Sequence, residues 1–429
     1  MPTQTYSFSD TIAALSPGLL SDRARTGDQP KVRPKVNSHV HLPPNFTAFE
    51  TIRQAVDLAA AQGVRVLGAS NYYDYSIYRD FGNLAAERGV FPLFGLEIIA
   101  LIDDLVAAGV KLNDPGNPGK MYICGKGITQ FDPMSESAAM LLSVIRDNDS
   151  RRMSAITEKL IAILQYRGID TGLTFETIID RIVARHHCDR ATVYLQERHI
   201  AQAFQEALFD LIDESDRYVS FERIFGVPPK DIRSGVTVQN EIRSHLLKAG
   251  KPAFVPDTFV DFDHAYKLIL ALGGIPCYPV LADGASPICP YEEPVSRLIE
   301  DLKSRGVYAA EFIPIRNSVD TLRRYVVALR EAGLFVTAGT EHNTLDLIPI
   351  EPTCLGGEPI PSDLKEIFWE GACVVAAHQY LTMHGQPGYV DERGHLNPSY
   401  PGANQRIDSF RRQGAALIAI YEERVGLSH

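Results

Sequence analysis

The 429-residue sequence predicts an α/β barrel in which parallel strands are joined by crossover helices. Over residues 35–99, short apolar runs alternate with segments of helical spacing, and this alternation resumes over 274–339. Short apolar runs bounded by turn signals indicate buried strands, and strands that alternate with helices indicate parallel pairing. Residues 136–250 instead have long helical patterns and frequent charges. This stretch is therefore predicted to be a helical insertion that divides the barrel in sequence.

The predicted elements follow in a regular order. Strands are predicted just before His41 and over 64–69, 91–99, 274–280, 307–313 and 334–339, with helices over 48–62, 79–88, 292–304 and 318–331. The chain divides into a leader (1–34), a first barrel part (35–135), a helical arm (136–250), a second barrel part (251–345) and a C-terminal extension (346–429). Further helices are predicted in the extension, over 363–384 and 403–424.

Composition narrows the class of protein. The net charge of -11 argues against a broad nucleic-acid surface, because phosphate binding normally needs a basic face. The six cysteines form no CxxC pair and no zinc-finger spacing, which favours reduced thiols. The sequence has no basic segment followed by a long apolar core at its start and no apolar run of about 18 residues. We therefore expect a cytoplasmic protein with no membrane partner, and the sequence leaves open whether it forms a homo-oligomer.

Two histidines, His39 and His41, end the first predicted strand. Residues two apart on a strand point to the same side, so both imidazoles can bind one ion. In α/β barrels, functional groups gather at the C-terminal ends of the strands. The sequence therefore predicts a site for a divalent metal ion, Zn, Mn or Fe. The alternative is a chance His-x-His pair on the surface.

Acidic side chains occur in or after other predicted strands. Glu97 lies inside an apolar strand, where a carboxylate is costly to bury unless it is paired or coordinated. A structural salt bridge is the alternative. Glu311 also lies inside an apolar strand, but the sequence supports it less strongly as a functional residue. Glu341 and His342 follow the last strand. Together with the two histidines, these side chains make a plausible ligand set.

The motifs resemble those of the polymerase and histidinol phosphatase (PHP) family, in the same order from about residue 35 to 345. NSHVHL is similar to the opening His-x-His of that family, FGLEI to its Gly-x-Glu strand, and GLFVTAGTEHNT to its terminal Gly-Ser-Asp-x-His. GVRVLGASNYY, ALGGIPCYPVLADG and LKSRGVYAAEFIP match the strands between them. YLQERHIAQAF resembles the family's Arg-Pro-His-Ile-Ala helix, which makes His199 a ligand candidate. The resemblance implies a PHP-type (β/α)7 TIM-like barrel with a helical insertion and a C-terminal helical extension, close to the phosphoesterase and exonuclease branch.

Several positions depart from the family pattern. Asn71 and Tyr72 stand where the family has Asp-His, and Tyr278 replaces the histidine before a proline. Glu341-His342-Asn343 replaces the final Asp-x-His. A full site of this family resembles a cluster of two or three metals, whereas the ligands retained here suit one ion or two. The predicted metal ligands are His39, His41, Glu97, His199, Glu341 and His342.

The resemblance implies a metal-dependent hydrolase that acts on a small phosphoester or other anionic substrate. Glu97, Tyr72 and Tyr278 are predicted to be catalytic, because a neutral phenol is a poor metal ligand but a good hydrogen-bond donor. Arg198 could bind a phosphate or carboxylate, with a surface role as the alternative. The predicted substrate-binding residues are Asn71, Tyr72, Tyr278, Glu311, Arg316 and Asn343. Two alternatives stay open: a single-metal lyase, isomerase or aldolase acting on a sugar or hydroxy acid, and a degenerate barrel without catalysis.

Overall fold

The fold is a mixed α/β barrel with helices around it. The computed structural model describes Phe8, Ile12 and residues 15–426; the rest of the predicted leader and the last three residues lie outside the described part. The strands are β1 (Lys35–Val40), β2 (Val64–Asn71), β3 (Phe91–Leu101), β4 (Lys120–Lys126), β5 (Val260–Asp261), β6 (Ile275–Val280), β7 (Ala309–Phe312) and β8 (Phe335–Ala338).

The α-helices confirm most of the predicted helical segments to within a few residues. They are α1 (Pro17–Arg25), α2 (Ile52–Ala61), α3 (Tyr78–Glu87), α4 (Asp103–Ala107), α5 (Glu136–Tyr166), α6 (Phe175–His186), α7 (Glu197–Leu211), α8 (Glu214–Phe225), α9 (Gly235–Ile242), α10 (Phe262–Ala271), α11 (Val295–Ser304), α12 (Val319–Glu331), α13 (Ser362–Met383) and α14 (Ala403–Arg424). No described helix is long and apolar enough to cross a membrane.

Seven strands follow one another around a nearly closed sheet, in the order β1-β2-β3-β4-β6-β7-β8. The two ends of the sheet meet just beyond β8, where Val40 pairs in parallel with Glu341. The His41 N–H donates to the Glu341 carbonyl at 2.8 Å, and the Glu341 N–H donates to the His39 carbonyl at 2.9 Å. This seam brings the end of β1 against the residues that follow β8.

One strand corrects the expectation of a regular (β/α)7 alternation. β4 was not predicted, and it runs antiparallel to both β3 and β6. The remaining neighbours on the path pair in parallel, as predicted. Because β4 runs the opposite way, its last residue, Lys126, lies opposite Gly95 in β3 and Ile275 at the start of β6. Its side chain therefore enters the barrel from the end opposite the ends of the parallel strands.

The predicted arm contains helices and has an apolar core of its own. Helices α5 to α9 enclose buried side chains that form a cluster separate from the barrel core, among them Ile156, Leu160, Ile178, Ile200 and Phe204. The first half of α5 belongs instead to the barrel cluster, through Leu142 and Ile145. Helix α5 therefore joins the arm to the barrel and contributes side chains to both apolar cores.

Helix α13 covers the barrel where β3 begins. The Gln379 amide accepts a hydrogen bond from the Phe94 N–H at 2.8 Å and donates to the Pro92 carbonyl at 3.1 Å. A Cβ on Gly371 would lie 2.1 Å from the Val336 carbonyl, so only glycine allows this approach of helix to strand. The C-terminal helices thus pack against the barrel near the beginnings of the parallel strands. The C-terminal ends of these strands lie on the side of the arm.

Candidate metal centre

Three predicted ligands converge at the ends of β1 and β3. His39 and Glu97 are 1% and 4% exposed, and His41 is fully buried. Glu97 Oε2 lies 3.2 Å from His39 Nε2 and 3.3 Å from His41 Nε2. None of these three atoms makes a hydrogen bond of regular geometry with a described residue. Three buried ligand atoms that face one another without hydrogen bonds are the arrangement that a metal ion would satisfy.

His39 is oriented by a buried ion pair below it. Glu311 Oε2 lies 2.6 Å from His39 Nδ1, while Glu311 Oε1 contacts Lys126 Nζ at 2.5 Å. Burial opposes ionisation of Glu311, but Lys126 and His39 outweigh it and lower the pKa of this carboxyl to about 2. An ionised carboxylate only accepts hydrogen bonds, so Nδ1 carries a proton. Burial lowers the pKa of His39, but Glu311 and Glu97 outweigh it and raise this pKa to about 9. A metal that binds through Nε2 would therefore displace the second proton of the ring. Glu311 was predicted to bind substrate; the structure instead places it behind His39.

The second oxygen of Glu97 is bound by Tyr72. The Tyr72 hydroxyl donates to Glu97 Oε1 at 2.7 Å, and its ring stacks on His41 with 5.0 Å between the ring centroids. Burial and the nearby Glu97 charge raise the pKa of Tyr72, which keeps the phenol protonated. Burial opposes ionisation of Glu97 too, yet the two histidines hold its pKa below the ordinary value. Tyr72 thus holds Oε1 and leaves Oε2 facing the imidazoles.

Another set of potential ligands overlaps the first. Cys124, His39 and Glu311 also bring ligand atoms within 4.8 Å of one another. Burial raises the pKa of the Cys124 thiol well above its ordinary value, and metals bind the thiolate rather than the thiol. The ring nitrogen of His39 that faces Glu311 is already hydrogen-bonded. The set of His39, His41 and Glu97 is therefore the better fit to a metal ion.

The residues after β8 lie outside this cluster, although Glu341 and Asn343 line a cavity of about 460 Å³ beside it. Glu341 and His342 have positive φ angles of 58° and 53°, an uncommon conformation for side chains other than glycine. Arg316 and Asn343 both bind the Glu341 carboxylate, with Arg316 Nη1 at 2.9 Å. The ring of His342 is held on both sides, by Thr340 Oγ1 at 2.7 Å and the Ile348 carbonyl at 3.0 Å. His342 therefore has no ring nitrogen free for a metal in this conformation.

The structure does not bring Tyr278 or Asn71 into the cavity. The Tyr278 hydroxyl donates to Glu292 at 3.0 Å, on the outer side of β6. Its strand neighbour Cys277 faces the opposite side, toward Glu311 and Lys126. The Asn71 amide binds the backbone N–H and carbonyl of residue 42 at 2.8 and 2.9 Å, which fixes the loop after β1.

His199 is buried near the site but outside the cluster. Its Nδ1 accepts the Gln196 N–H at 3.1 Å, and its Nε2 makes no hydrogen bond with a described residue. The ring packs against Phe46, with 5.4 Å between the centroids. Burial, with smaller contributions from His186 and Arg185, lowers the pKa of His199 to about 3, so the imidazole is neutral. Its role as a metal ligand stays a prediction.

A cavity of about 460 Å³ lies beside the cluster and extends between barrel and arm. It has the size of a small-molecule site. Its cationic side chains are Lys120, Arg152, Arg198, Arg243, Lys248 and Arg316, and its acidic ones are Glu97, Asp114, Asp149, Glu197 and Glu341. Of these charged side chains, only Glu97, Arg198, Arg316 and Glu341 were predicted from the sequence. Charged residues at helical spacing inside the arm were a usable signal for Asp149 and Arg152.

Most of these cations are neutralised by an acid. Glu197 binds both Arg243 and Lys248 at 2.8 Å. Lys120 pairs with Asp114, Arg152 with Asp257 and Arg316 with Glu341. Arg198 forms no ion pair with a described residue, and its guanidinium lies 5.9 Å from the centre of the Phe46 ring. Burial and the Arg243 charge lower its pKa to about 10, which still leaves it charged at neutral pH.

Comparison with known proteins shows similarity at the level of the fold. No family model and no curated protein matches the sequence. An amidohydrolase from Chromobacterium violaceum, with bound SO4 and no metal, is 20% identical with a TM-score of 0.50 over 78% of this chain and 96% of that chain. A protein from Bifidobacterium adolescentis, provisionally described as a metal-dependent phosphoesterase, is 16% identical with a TM-score of 0.48 over 79% and 96%. The protein therefore shares its barrel fold with a protein described as an amidohydrolase.

Proposed function

We propose that this protein is a metal-dependent hydrolase of the PHP type that cleaves a small anionic ester. His39, His41 and Glu97 would hold one divalent ion, Zn, Mn or Fe. The observation that carries the proposal is the convergence of three buried ligand atoms without hydrogen-bond partners among the described residues. Their chemistry fits the ion, because imidazole and carboxylate are ligands of all three metals.

The number of ligands and the position of the cavity support catalysis rather than a structural role. Structural zinc sites normally have four protein ligands, whereas catalytic sites have three and keep a position for water or substrate. Glu97 and Tyr72 line the cavity, so the cluster faces space that a substrate can enter. A bound divalent ion would supply a Lewis acid and an activated water at neutral pH.

The surrounding side chains have separable tasks. Glu311 fixes the tautomer of His39, and Tyr72 fixes the orientation of the Glu97 carboxylate. Arg198 is free to bind the anionic group of a substrate, because no described carboxylate neutralises it. Arg316 also reaches the cavity but shares its charge with Glu341. The substrate anion would therefore bind on the arm side of the cavity, through Arg198.

Metal analysis tests the site directly. The wild-type protein should bind one ion per chain, and the His39→Ala/His41→Ala variant should bind none while keeping its far-UV circular dichroism. The exposed histidines His187 and His395 provide a matched control, because replacing both with alanine removes the same number of imidazoles. Undiminished metal in the His39/His41 variant would overturn the proposed site. Turnover of phosphate and carboxylate esters by the loaded protein, lost in that variant, would support hydrolysis.

A second candidate is a single-metal lyase, isomerase or aldolase that acts on a sugar or hydroxy acid. It is favoured by the ligand set, which suits one ion, whereas the PHP phosphoesterases to which the sequence is similar are implied to hold two or three. Retention of metal without turnover of any ester, together with conversion of sugar acids, would favour this candidate over the hydrolase.

A further inference from the structure

Asp149 is a buried carboxylate that lines the same cavity. It lies on α5, the helix that joins the arm to the barrel, and is 5% exposed. It lines the cavity together with Tyr73, and it also lines a second, much smaller pocket beside Glu97 and Tyr72. Its Oδ1 receives no regular hydrogen bond from any described residue. A buried acceptor without a donor costs roughly 1–3 kcal/mol, so a bound molecule that supplies a donor is favoured there.

The neighbours of Asp149 do not neutralise it directly. Arg152 binds Asp257 at 3.0 Å and the Val255 carbonyl at 3.3 Å rather than forming an ion pair with Asp149. Lys120 pairs with Asp114 at 3.2 Å. Tyr73 faces the carboxylate, yet Oδ1 remains without a hydrogen bond of regular geometry. Burial raises the pKa of Asp149, while Tyr73 and Arg152 oppose that shift.

We propose that Asp149 binds a hydroxyl group of the substrate, so that the cavity takes a small anion that also carries hydroxyl groups. The inference rests on the proposed function, because it assumes that Arg198 binds the anionic group. The cavity then offers one cation and one acceptor that no described residue satisfies, and a hydroxylated anion satisfies both.

A hydroxyl fits this acceptor better than an ammonium group does. Two positive charges, on Arg152 and Lys120, already act on Asp149 and are only partly offset by Asp257, so the carboxylate lacks a hydrogen-bond donor rather than a further cation. A hydroxyl donates a hydrogen bond without adding charge. The substrate class is therefore that of polyol phosphates and hydroxylated acids rather than amino-alcohol phosphates.

Two matched probes test this inference in the zinc-loaded full-length protein. Butylphosphonate and 3,4-dihydroxybutylphosphonate share the anion and the carbon chain, differ only in two hydroxyls, and resist hydrolysis. Isothermal titration calorimetry should show at least about tenfold tighter binding of the dihydroxy probe, the size expected for a hydrogen bond to a charged group. Asp149→Ala should abolish that preference, so that both probes bind with the same affinity. Asp147→Asn is the control, because Asp147 is exposed on the same helix.

The outcomes separate this inference from the proposed function. Equal affinity for both probes in the wild type, or an intact preference in Asp149→Ala, would overturn the role of Asp149 and leave anion binding standing. If neither probe binds, the anion-binding cavity fails, and the role of Asp149 fails with it. Should Asp149→Ala not fold, Asp149→Asn carries the test, since it keeps the shape and loses the charge. The comparison of the two probes in the wild type does not depend on any variant.

Discussion

Glu311→Gln should weaken metal binding although Glu311 does not touch the metal cavity. The carboxylate accepts from His39 on one oxygen and from Lys126 on the other. Glutamine has the same shape but only one oxygen. If that oxygen stays on Lys126, the amide NH2 faces His39 Nδ1 and drives its proton to Nε2, the predicted ligand atom. If the amide turns over, the buried ammonium of Lys126 loses its acceptor.

Either arrangement disfavours the tautomer of His39 that binds metal, in which Nδ1 carries the proton and Nε2 is free. Replacing the partner of a metal-ligating histidine typically costs about 10- to 100-fold in affinity, which corresponds to about 1.4–2.8 kcal/mol. The assay is competition for zinc between metal-depleted protein and a fluorescent chelator, with circular dichroism to verify folding. Thr337→Val is the control, because Thr337 donates to the same carboxylate at 3.2 Å without affecting its charge. A folded Glu311→Gln variant with wild-type zinc affinity would refute the reasoning.

Three other predictions concern stability and metal retention. Tyr72→Phe should keep one metal per chain but lose about 1.5–3 kcal/mol of unfolding free energy in the metal-depleted protein, because Glu97 loses a charged hydrogen bond. Lys126→Met should cost about 3–5 kcal/mol, since it leaves a buried carboxylate without its cation; both losses are measurable by urea denaturation. Burial lowers the pKa of His378 to about 4 from 6.5, so the unfolded chain binds a proton at this residue between these values while the folded protein does not. The contribution of His378 to the free energy of unfolding is complete above pH 6.5 and falls by about 3 kcal/mol as the pH drops to 4. Urea titrations of His378→Gln should lack that loss, whereas those of the exposed His395→Gln should retain it; identical pH profiles would contradict the assignment.

Hydrophobic pattern predicted most of the fold, and it failed where the pattern was broken. The strands at 64–71 and 91–101 are nearly continuous apolar runs, as expected for strands buried on both faces. β4 was not predicted because its first and last residues are lysines, Lys120 and Lys126, and glycines lie close to both ends. Both lysines are buried by ion pairs, which only the tertiary structure reveals. The lysines at the two ends of β4 interrupt the apolar pattern, so this strand of the barrel could not be recognised from the sequence.

The site was predictable where strand geometry alone decides it. His39 and His41 converge because they lie two residues apart, and Glu97 joins them from β3. Tyr278 was expected in the cavity from a motif, yet alternation along β6 turns it toward Glu292. Asp149 lies on a long helix of the arm, so its contact with the barrel depends on how that helix docks. No local pattern encodes that docking.

The charges buried around His39 also favour a cation at the cluster. Glu97 and Glu311 bring two negative charges, which are held ionised by their partners. Lys126 is the buried cation that contacts Glu311, and its Nζ also reaches the Ser38 carbonyl at 3.3 Å. The second negative charge is offset in the metal-free protein by a proton on His39. Burial and Lys126 lower the pKa of His39, but the two carboxylates outweigh them and raise it to about 9. A metal that binds through Nε2 would displace that proton. A divalent ion between His39, His41 and Glu97 would then offset the second negative charge and occupy the three ligand atoms at once. Glu97 therefore provides a ligand atom and also a negative charge that favours binding of a metal ion.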